Sequence, residues 1–384
     1  MNRIKTIEMF AGVGGFRIGL QKASKNFDFV WANQWEPNKK NQVSWQCYEN
    51  NFGKNSCINK NISEVTTKEI PNFDLLTAGF PCQDYSVAKS LKYSGGIEGK
   101  KGVLWWDINR VLEDKNPKYV LLENVDRLLI SPSKQRGRDF SIILACLMNL
   151  GYCVEWKVIN AAAYGMPQKR KRIFIFATKE KNEILSKVFL HNIISSNQFS
   201  LSKDILEISN NFGKGSNQKY LDYGFASNFE IQTFKTKENY NGKMLFLKDI
   251  LIDEKDVPSD FYIQEEDLKK WLPFKNGRKI ERKSKDGHVY MYSEGKMSFP
   301  DNLQKPARTI VTGEGGSSPS RFKHVILVNQ KYRRLTPIEL ERIQMFPDNH
   351  TKGFTNVQRA FMMGNALVTG IVTKIGQAIA NIEE

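Results

Sequence analysis

The sequence predicts an α/β fold, a mostly parallel sheet covered on both faces by helices, joined to a smaller and less regular second domain. Three observations carry this. Through residues 1–180, short apolar runs alternate with amphipathic stretches. Over 181–332 the texture turns polar, rich in Asn, Ser and Lys, and periodicity fades. Over 333–384 regular patterning returns, read as a hinge and a C-terminal helix that rejoin the first domain.

The apolar runs at 5–10, 27–33, 73–80, 119–125, 154–160 and 172–178 are rich in Ile, Val, Leu and Phe, as buried strands are. Between them, Leu104, Ile108, Val111 and Leu112 recur on one helical face. Phe140, Ile143, Leu144 and Leu147 repeat that spacing. Such alternation implies parallel strands with helical crossovers. Further on, Thr336-Pro337-Ile338-Glu339 reads as a helix start, with Thr as N-cap, Pro at N1 and Glu at N3.

Bulk composition narrows the functional classes. Lys and Arg number 57 against 41 Asp and Glu, a formal net charge of +16. An acidic partner such as nucleic acid fits that excess, and so does a solvated basic surface. Basic residues crowd between 269 and 285, beside Trp271, Phe274, Tyr290 and Tyr292, which favours the first reading there. No apolar run approaches the roughly 18 residues of a membrane span. The opening Met1-Asn2-Arg3-Ile4-Lys5 carries no signal-peptide pattern, so a cytoplasmic protein is expected. The five cysteines form no C-x-x-C pair, and no histidine stands near them in sequence. Neither a disulfide framework nor a metal site is expected.

Three segments carry chemistry. Phe10-Ala11-Gly12-Val13-Gly14-Gly15 ends the first strand, and a glycine-rich turn there lets a ligand approach the backbone. It also reads as a plain structural turn. Arg17 stands where a nicotinamide fingerprint needs glycine. Next, Gly79-Phe80-Pro81-Cys82-Gln83 follows a buried strand, where α/β proteins bind ligands. A lone cysteine is more often a small core residue. Here, however, Pro81 stiffens the approach and the polar Gln83-Asp84-Tyr85-Ser86 follows. Third, Glu123-Asn124-Val125 ends another strand. A carboxyl there, partly desolvated, has a raised pKa and suits a general acid. It could equally be an ion-pair partner.

In this order the segments resemble the cytosine-5 DNA methyltransferases of bacterial restriction-modification systems. Pro81-Cys82-Gln83 is similar to the family's nucleophile motif and Glu123-Asn124-Val125 to its carboxylate motif. Gln168-Lys169-Arg170-Lys171-Arg172 matches its Q-x-R-x-R motif. Residues 333–347 follow R-x-L-T-x-x-E-x-x-R-x-Q-x-F-P throughout, and Gly364-Asn365 resembles the last motif. The resemblance spans 4–178 and 333–375.

It implies a class I S-adenosylmethionine-dependent methyltransferase fold, Rossmann-like, with the middle region as target recognition domain. Cys82 is then the nucleophile, Glu123 the acid at ring nitrogen 3, and Arg172 the contact to the base oxygen, with Arg170 holding the site. The thiolate adds at carbon 6 of a flipped-out cytosine, and carbon 5 then accepts the methyl group. A base, expected to be water, removes the carbon 5 proton, and elimination frees the thiol. S-adenosylmethionine, leaving as S-adenosylhomocysteine, is implied at Phe10, Ala11, Gly12, Gly14, Gly15, Gln34, Trp35, Asn61, Ile62, Pro81, Leu104, Asn365 and Ala366. Gln34 stands where the family usually has a ribose-binding Glu, with Glu36 as the alternative. Asn61 stands where it often has Asp. The segment from Cys82 to Lys101 resembles a mobile loop that closes over DNA.

DNA contacts are implied at Gln83, Ser86, Ser90, Arg308, Thr309 and Arg321, with residues 313–321 as a DNA-facing loop. The expected partners are double-stranded DNA and a cognate restriction endonuclease, with no membrane, and the chain is expected to be a monomer in a bacterial cytoplasm. Three other readings compete. A transfer RNA methyltransferase of this family typically carries Cys-Phe-Thr in its later half, and no cysteine follows Cys153. An inactive DNA-binding relative usually lacks the nucleophile or the cofactor loop, whereas both are present. A nicotinamide oxidoreductase is disfavoured by Arg17 and leaves the later motifs unexplained.

Overall fold

The structure is a computed structural model and describes residues 3–80, 104–214, 217–283 and 287–382. It divides into two compact units. The first comprises Met1–Gly165, Arg170–Lys243 and Val368–Glu384, the second Met166–Lys169 and Met244–Leu367.

A nine-stranded sheet builds the first unit. Its strands are β1 (Ile4–Met9), β2 (Phe27–Asn33), β3 (Leu75–Gly79), β4 (Tyr119–Val125), β5 (Cys153–Asn160), β6 (Lys171–Thr178), β7 (His191–Ser200), β8 (Tyr223–Ser227) and β9 (Glu230–Glu238). The order is β2-β1-β3-β4-β6-β5-β8-β9-β7. The pairs β1–β2, β1–β3 and β3–β4 are parallel, as the alternation predicts. From β4 outward every pair is antiparallel. Tyr119, Val120, Leu121 and Leu122 are fully buried, the mark of a strand covered on both faces.

Helices α1 (Gly15–Ala23) and α2 (Val43–Phe52) follow the first two strands. Next come α3 (Leu104–Lys115), α4 (Arg138–Asn149), α5 (Leu185–Val188) and α6 (Ile205–Asn211). Both predicted apolar stripes are buried. Ile108, Val111 and Leu112 of α3 and Phe140, Ile143, Leu144 and Leu147 of α4 join Ile7, Leu76, Val120 and Leu122 in one core.

Strands β7, β8 and β9 carry the sheet to residue 238, past the boundary set at 180. Nothing in the sequence pattern marks β7. Most of its side chains are exposed, and polar residues dominate it, so the alternating apolar signal of a half-buried strand is missing. This moves the division of the chain from 180 to about Lys243.

The second unit holds a three-stranded sheet of order β10-β14-β13 and a two-stranded ribbon. The strands are β10 (Tyr262–Ile263), β11 (Arg278–Lys283), β12 (Val289–Glu294), β13 (Val325–Val328) and β14 (Lys331–Arg334). Its helices are α7 (Glu265–Lys275), α8 (Pro337–Ile343) and α9 (Asn356–Asn365). Thr336 caps α8 as read, its hydroxyl accepting from Glu339 N at 3.3 Å while Thr336 N donates to Glu339 Oε2 at 2.7 Å. Gly364 is required by packing, because a β carbon there would lie 2.3 Å from Thr312 N.

The last helix, α10 (Thr369–Ile382), rejoins the first unit and packs along α1. Gly19 and Gly376 permit that approach. A β carbon on Gly19 would meet Val372 Cβ at 2.5 Å. Among the described residues, no helix is long and apolar enough to cross a membrane.

Candidate active site

Strands β3 and β4 run parallel, and their register sets Gly79 opposite Glu123. Both lie at strand carboxyl ends, where an open α/β sheet receives ligands. Just beyond, Asn124 Nδ2 donates to Phe80 O at 2.8 Å. Asn124 is buried, and its Oδ1 accepts from Val125 N at 2.8 Å. Phe80 is therefore fixed two residues ahead of Cys82. Pro81, Cys82, Gln83, Ser86 and Ser90, with the loop to Lys101, lie outside the described residues.

Antiparallel pairing of β4 with β6 sets Val125 opposite Arg172 and Phe174 opposite Glu123. Glu123 and Arg172 are thus diagonal neighbours on one face. Arg172 Nε lies 3.0 Å from Glu123 Oε1, with the two side chains 20% and 14% exposed. The contact is shielded yet open at its edge. Burial raises the Glu123 carboxyl above the usual range, and the Arg172 and Arg170 guanidiniums pull it back only in part. Arg170 is almost fully buried, and Ala161 N donates to its carbonyl at 3.0 Å. Burial, and then the Arg172 charge, lower its pKa. A guanidinium starts so high that Arg170 stays charged at neutral pH. Three predicted residues thus share one edge of the sheet. Together they offer a carboxyl that holds its proton more tightly than an exposed glutamate does, and cations able to stabilise a developing oxyanion.

The glycine-rich turn runs through left-handed backbone. Phe10, Gly12 and Gly14 have φ of 56°, 55° and 83°. Glycine adopts these values freely, and a β carbon on Gly12 would meet nothing within 4 Å. Ala11 N donates to Asn33 O at 2.9 Å, tying the loop to the end of β2. Gln34 is buried, and its Oε1 accepts from Gly12 N at 2.8 Å. Glu36 holds a shielded Oε2 with no hydrogen-bond partner, and Trp35 is 38% exposed. An open glycine after β1, and an unsatisfied carboxylate oxygen and a bare indole after the neighbouring parallel β2, fit an adenosyl group. Asn61 accepts from Ser63 N at 3.4 Å, capping a short turn in which Ile62 is buried. Leu104 opens α3 and packs on the main core. Asn365 and Ala366 belong to the second unit.

Sequence reading missed the buried group beneath this loop. Glu8 of β1 accepts from Phe16 N at 3.2 Å and from Tyr48 Oη at 3.2 Å. Burial raises it to about 8, although the Arg17 charge opposes that rise. The Arg17 guanidinium in turn lies over the Phe52 ring at 4.4 Å. The available signal was a carboxylate inside an apolar strand, which is rarely left without partners.

Several motif residues prove structural. Gln168 Oε1 accepts from Ile310 N at 3.0 Å, and its Nε2 donates to Gln344 Oε1 at 3.0 Å. Gln344 Nε2 donates to Met363 O and Ala366 O. Arg333 is fully buried between Glu254, at 2.6 Å, and Glu339, at 2.8 Å. Of the residues expected to touch DNA, Arg308, Thr309 and Arg321 are described, and each is engaged within the fold. Arg308 grips Asp301 at 2.7 and 3.2 Å, and Thr309 Oγ1 donates to Lys169 O. Arg321 binds the carbonyls of Phe274, Asn276 and Gly295 and faces Glu294 at 3.7 Å.

Comparison with known proteins agrees with this geometry. The chain matches the family described as C-5 cytosine-specific DNA methylase over residues 4–381. It is 44% identical to the type II methyltransferase M.Sau3AI of Staphylococcus aureus, across 100% of this chain and 97% of that one. M.HhaI of Haemophilus parahaemolyticus is 27% identical across 98% and 94%. The Dnmt2 methyltransferase structure from S. pombe superposes with a TM-score of 0.64 at 17% identity, over the whole of both chains. That last likeness concerns the fold.

Proposed function

Because this chain belongs to the C-5 cytosine-specific DNA methylases, we propose that Cys82 is its nucleophile and that Glu123, Arg172 and Arg170 form the acid and anion-binding side of the site. The enzyme methylates carbon 5 of cytosine in DNA. The observation that carries the residue assignment is the shielded Glu123–Arg172 pair, set opposite Gly79 and two residues from Phe80, where the Cys82 segment begins.

The fold and family imply S-adenosylmethionine as methyl donor. When bound, it supplies an electrophilic methyl group. Phe10, Ala11, Gly12, Gly14, Gly15, Gln34, Trp35, Asn61, Ile62, Pro81, Leu104, Asn365 and Ala366 are the proposed contacts. Gln34 holds the loop through its oxygen, which leaves its amide to donate to a ribose hydroxyl while Glu36 accepts.

Every other step belongs to side chains. The Cys82 thiolate adds to carbon 6, and the electron pair moves toward ring nitrogen 3. Protonated Glu123 donates there, a role that its raised pKa favours. Arg172 meets the charge growing on the base oxygen, and Arg170 supports that field from beneath. Loss of the carbon 5 proton to water and elimination of the thiolate complete the cycle. The cytosine must leave the duplex to be reached.

The relatives' naming as type II methyltransferases supports a restriction endonuclease as functional counterpart. We place the protein in the bacterial cytoplasm as a monomer on duplex DNA. The test is methyl transfer from labelled S-adenosylmethionine to duplex DNA, followed by digestion to nucleosides and bisulfite sequencing. Label in 5-methylcytosine at one recurring sequence is expected. Label elsewhere, or in transfer RNA alone, overturns the assignment.

A further inference from the structure

The second unit carries a ribbon that core formation does not explain. Strands β11 and β12 pair with each other alone among the described residues, from Arg278 opposite Glu294 to Lys283 opposite Val289. Much of the ribbon is open to solvent, while Ile280 and Tyr292 are half-buried. Val289, Tyr290 and Met291 are 50%, 43% and 59% exposed. Lys279, Glu281, Arg282 and Lys283 are exposed as well. A lone two-stranded hairpin is marginal in water, and its apolar side chains gain nothing by facing solvent. Its base, however, is clamped. Arg321 faces Glu294 at 3.7 Å and donates to the carbonyl of Gly295, beside the end of β12. The same guanidinium reaches Phe274 O and Asn276 O, just before β11.

Alternation sorts the side chains. Ile280, Arg282, Tyr290 and Tyr292 share one face, while Lys279, Lys283, Val289 and Met291 share the other. The Arg282 guanidinium carbon lies 3.9 Å from the Tyr292 ring centroid. Stacking holds that planar group in place, so less order is lost when it meets a ligand. Of the carboxylates on the ribbon, Glu294 is already matched by Arg321. Among the described side chains of the two strands, Lys279, Arg282 and Lys283 stand against Glu281.

We propose that this ribbon lies in the major groove of duplex DNA and reads sequence through Arg282 and Tyr290. The proposal rests on the reading of the chain as a DNA methyltransferase. The major groove is about 12 Å wide and admits a two-stranded ribbon. A guanidinium there can bond both O6 and N7 of guanine. Lys279 and Lys283, on the outer face, have stems long enough to reach back to the phosphates of the groove walls.

The test uses the full chain with S-adenosylhomocysteine. Fluorescence anisotropy compares a duplex carrying the mapped methylation site with a scrambled duplex, over a range of salt. Arg282→Ala lowers affinity for the mapped site about 10- to 100-fold and leaves the scrambled duplex within about twofold. Lys279→Ala combined with Lys283→Ala weakens both duplexes and reduces the log–log salt slope by about 2. Matching melting curves establish that these exposed substitutions leave the fold intact. Equal losses on both duplexes for Arg282→Ala overturn base reading. Unchanged affinity in every variant, with a wild-type chain that binds and methylates the site, overturns the ribbon assignment and leaves the activity standing. A wild-type chain that methylates no duplex DNA overturns both.

Discussion

The Asn124 side chain holds Phe80, donating from Nδ2 to its carbonyl at 2.8 Å. The strand that ends in Glu123-Asn124-Val125 thereby fixes the chain two residues before Cys82. One strand end thus carries Glu123, the proposed acid, and anchors the segment that leads to Cys82, the proposed nucleophile.

Asn124→Ala removes that anchor along with the Oδ1 acceptor of Val125 N. The loss of buried hydrogen bonds costs stability of about 1–3 kcal/mol. A misplacement of about 1 Å can lower a rate roughly 100-fold. Single-turnover methyl transfer should fall by that order while DNA affinity stays near wild type. A wild-type rate constant in Asn124→Ala removes the positioning role.

Glu123 and Arg172 make a prediction about pH. Burial raises Glu123, so its proton-donating form persists into higher pH than an exposed glutamate allows. The rate should fall as pH rises through that raised pKa. Arg172 lowers the same pKa. Arg172→Ala should therefore move the alkaline limb to higher pH while cutting the maximal rate about 100- to 1,000-fold. Glu123→Gln should lower the rate about 100- to 10,000-fold and lose the limb. A pH–rate profile in which Arg172→Ala leaves the limb in place separates the pair from the chemistry.

Gln34 should matter through Gly12. Its oxygen accepts from Gly12 N at 2.8 Å, so Gln34→Ala frees the loop. By calorimetry, cofactor affinity should weaken about 10-fold, the equivalent of one lost hydrogen bond. Gln34→Glu keeps an acceptor for Gly12 N but loses the amide donor proposed for the ribose hydroxyl, so affinity should weaken by less than in Gln34→Ala. Weakening by Gln34→Glu as large as by Gln34→Ala would show that the amide donor is what matters.

Arg333 is a structural test. It lies fully buried between Glu254 and Glu339. Arg333→Ala leaves both carboxylates without that cation, and breaking such a buried network costs about 3–5 kcal/mol. Urea unfolding should show the loss, and a change under 1 kcal/mol would mean that the network is not load-sharing.

Much of this was legible in the sequence, for a physical reason. Buried strands such as 119–125 and helical stripes such as Ile108, Val111 and Leu112 are written in apolar periodicity, and they hold the catalytic candidates at strand ends. Strand β7 was not legible, because a largely exposed edge strand needs no apolar pattern. Motif matching also could not separate chemistry from scaffolding. Gln168 falls in the same motif as Arg170 and Arg172, and Arg333 and Gln344 in the motif over 333–347, yet all three serve packing and hydrogen bonding. Arg308, Thr309 and Arg321 were read as DNA contacts from residue type and position. Residue type does not show that these side chains also bond within the fold, as the structure does.

A covalent bond between Cys82 and carbon 6 of cytosine is the central step proposed for this enzyme. A duplex with 5-fluorocytosine at the mapped target, incubated with S-adenosylmethionine, tests it most directly. Fluorine at carbon 5 cannot be eliminated as the proton is, so the adduct should persist through denaturing electrophoresis. Mass spectrometry of the digested complex should place the cross-link on Cys82, and Cys82→Ser should bind the duplex without forming it. A wild-type chain that methylates the ordinary duplex but yields no stable adduct, or an adduct on another residue, contradicts the assignment.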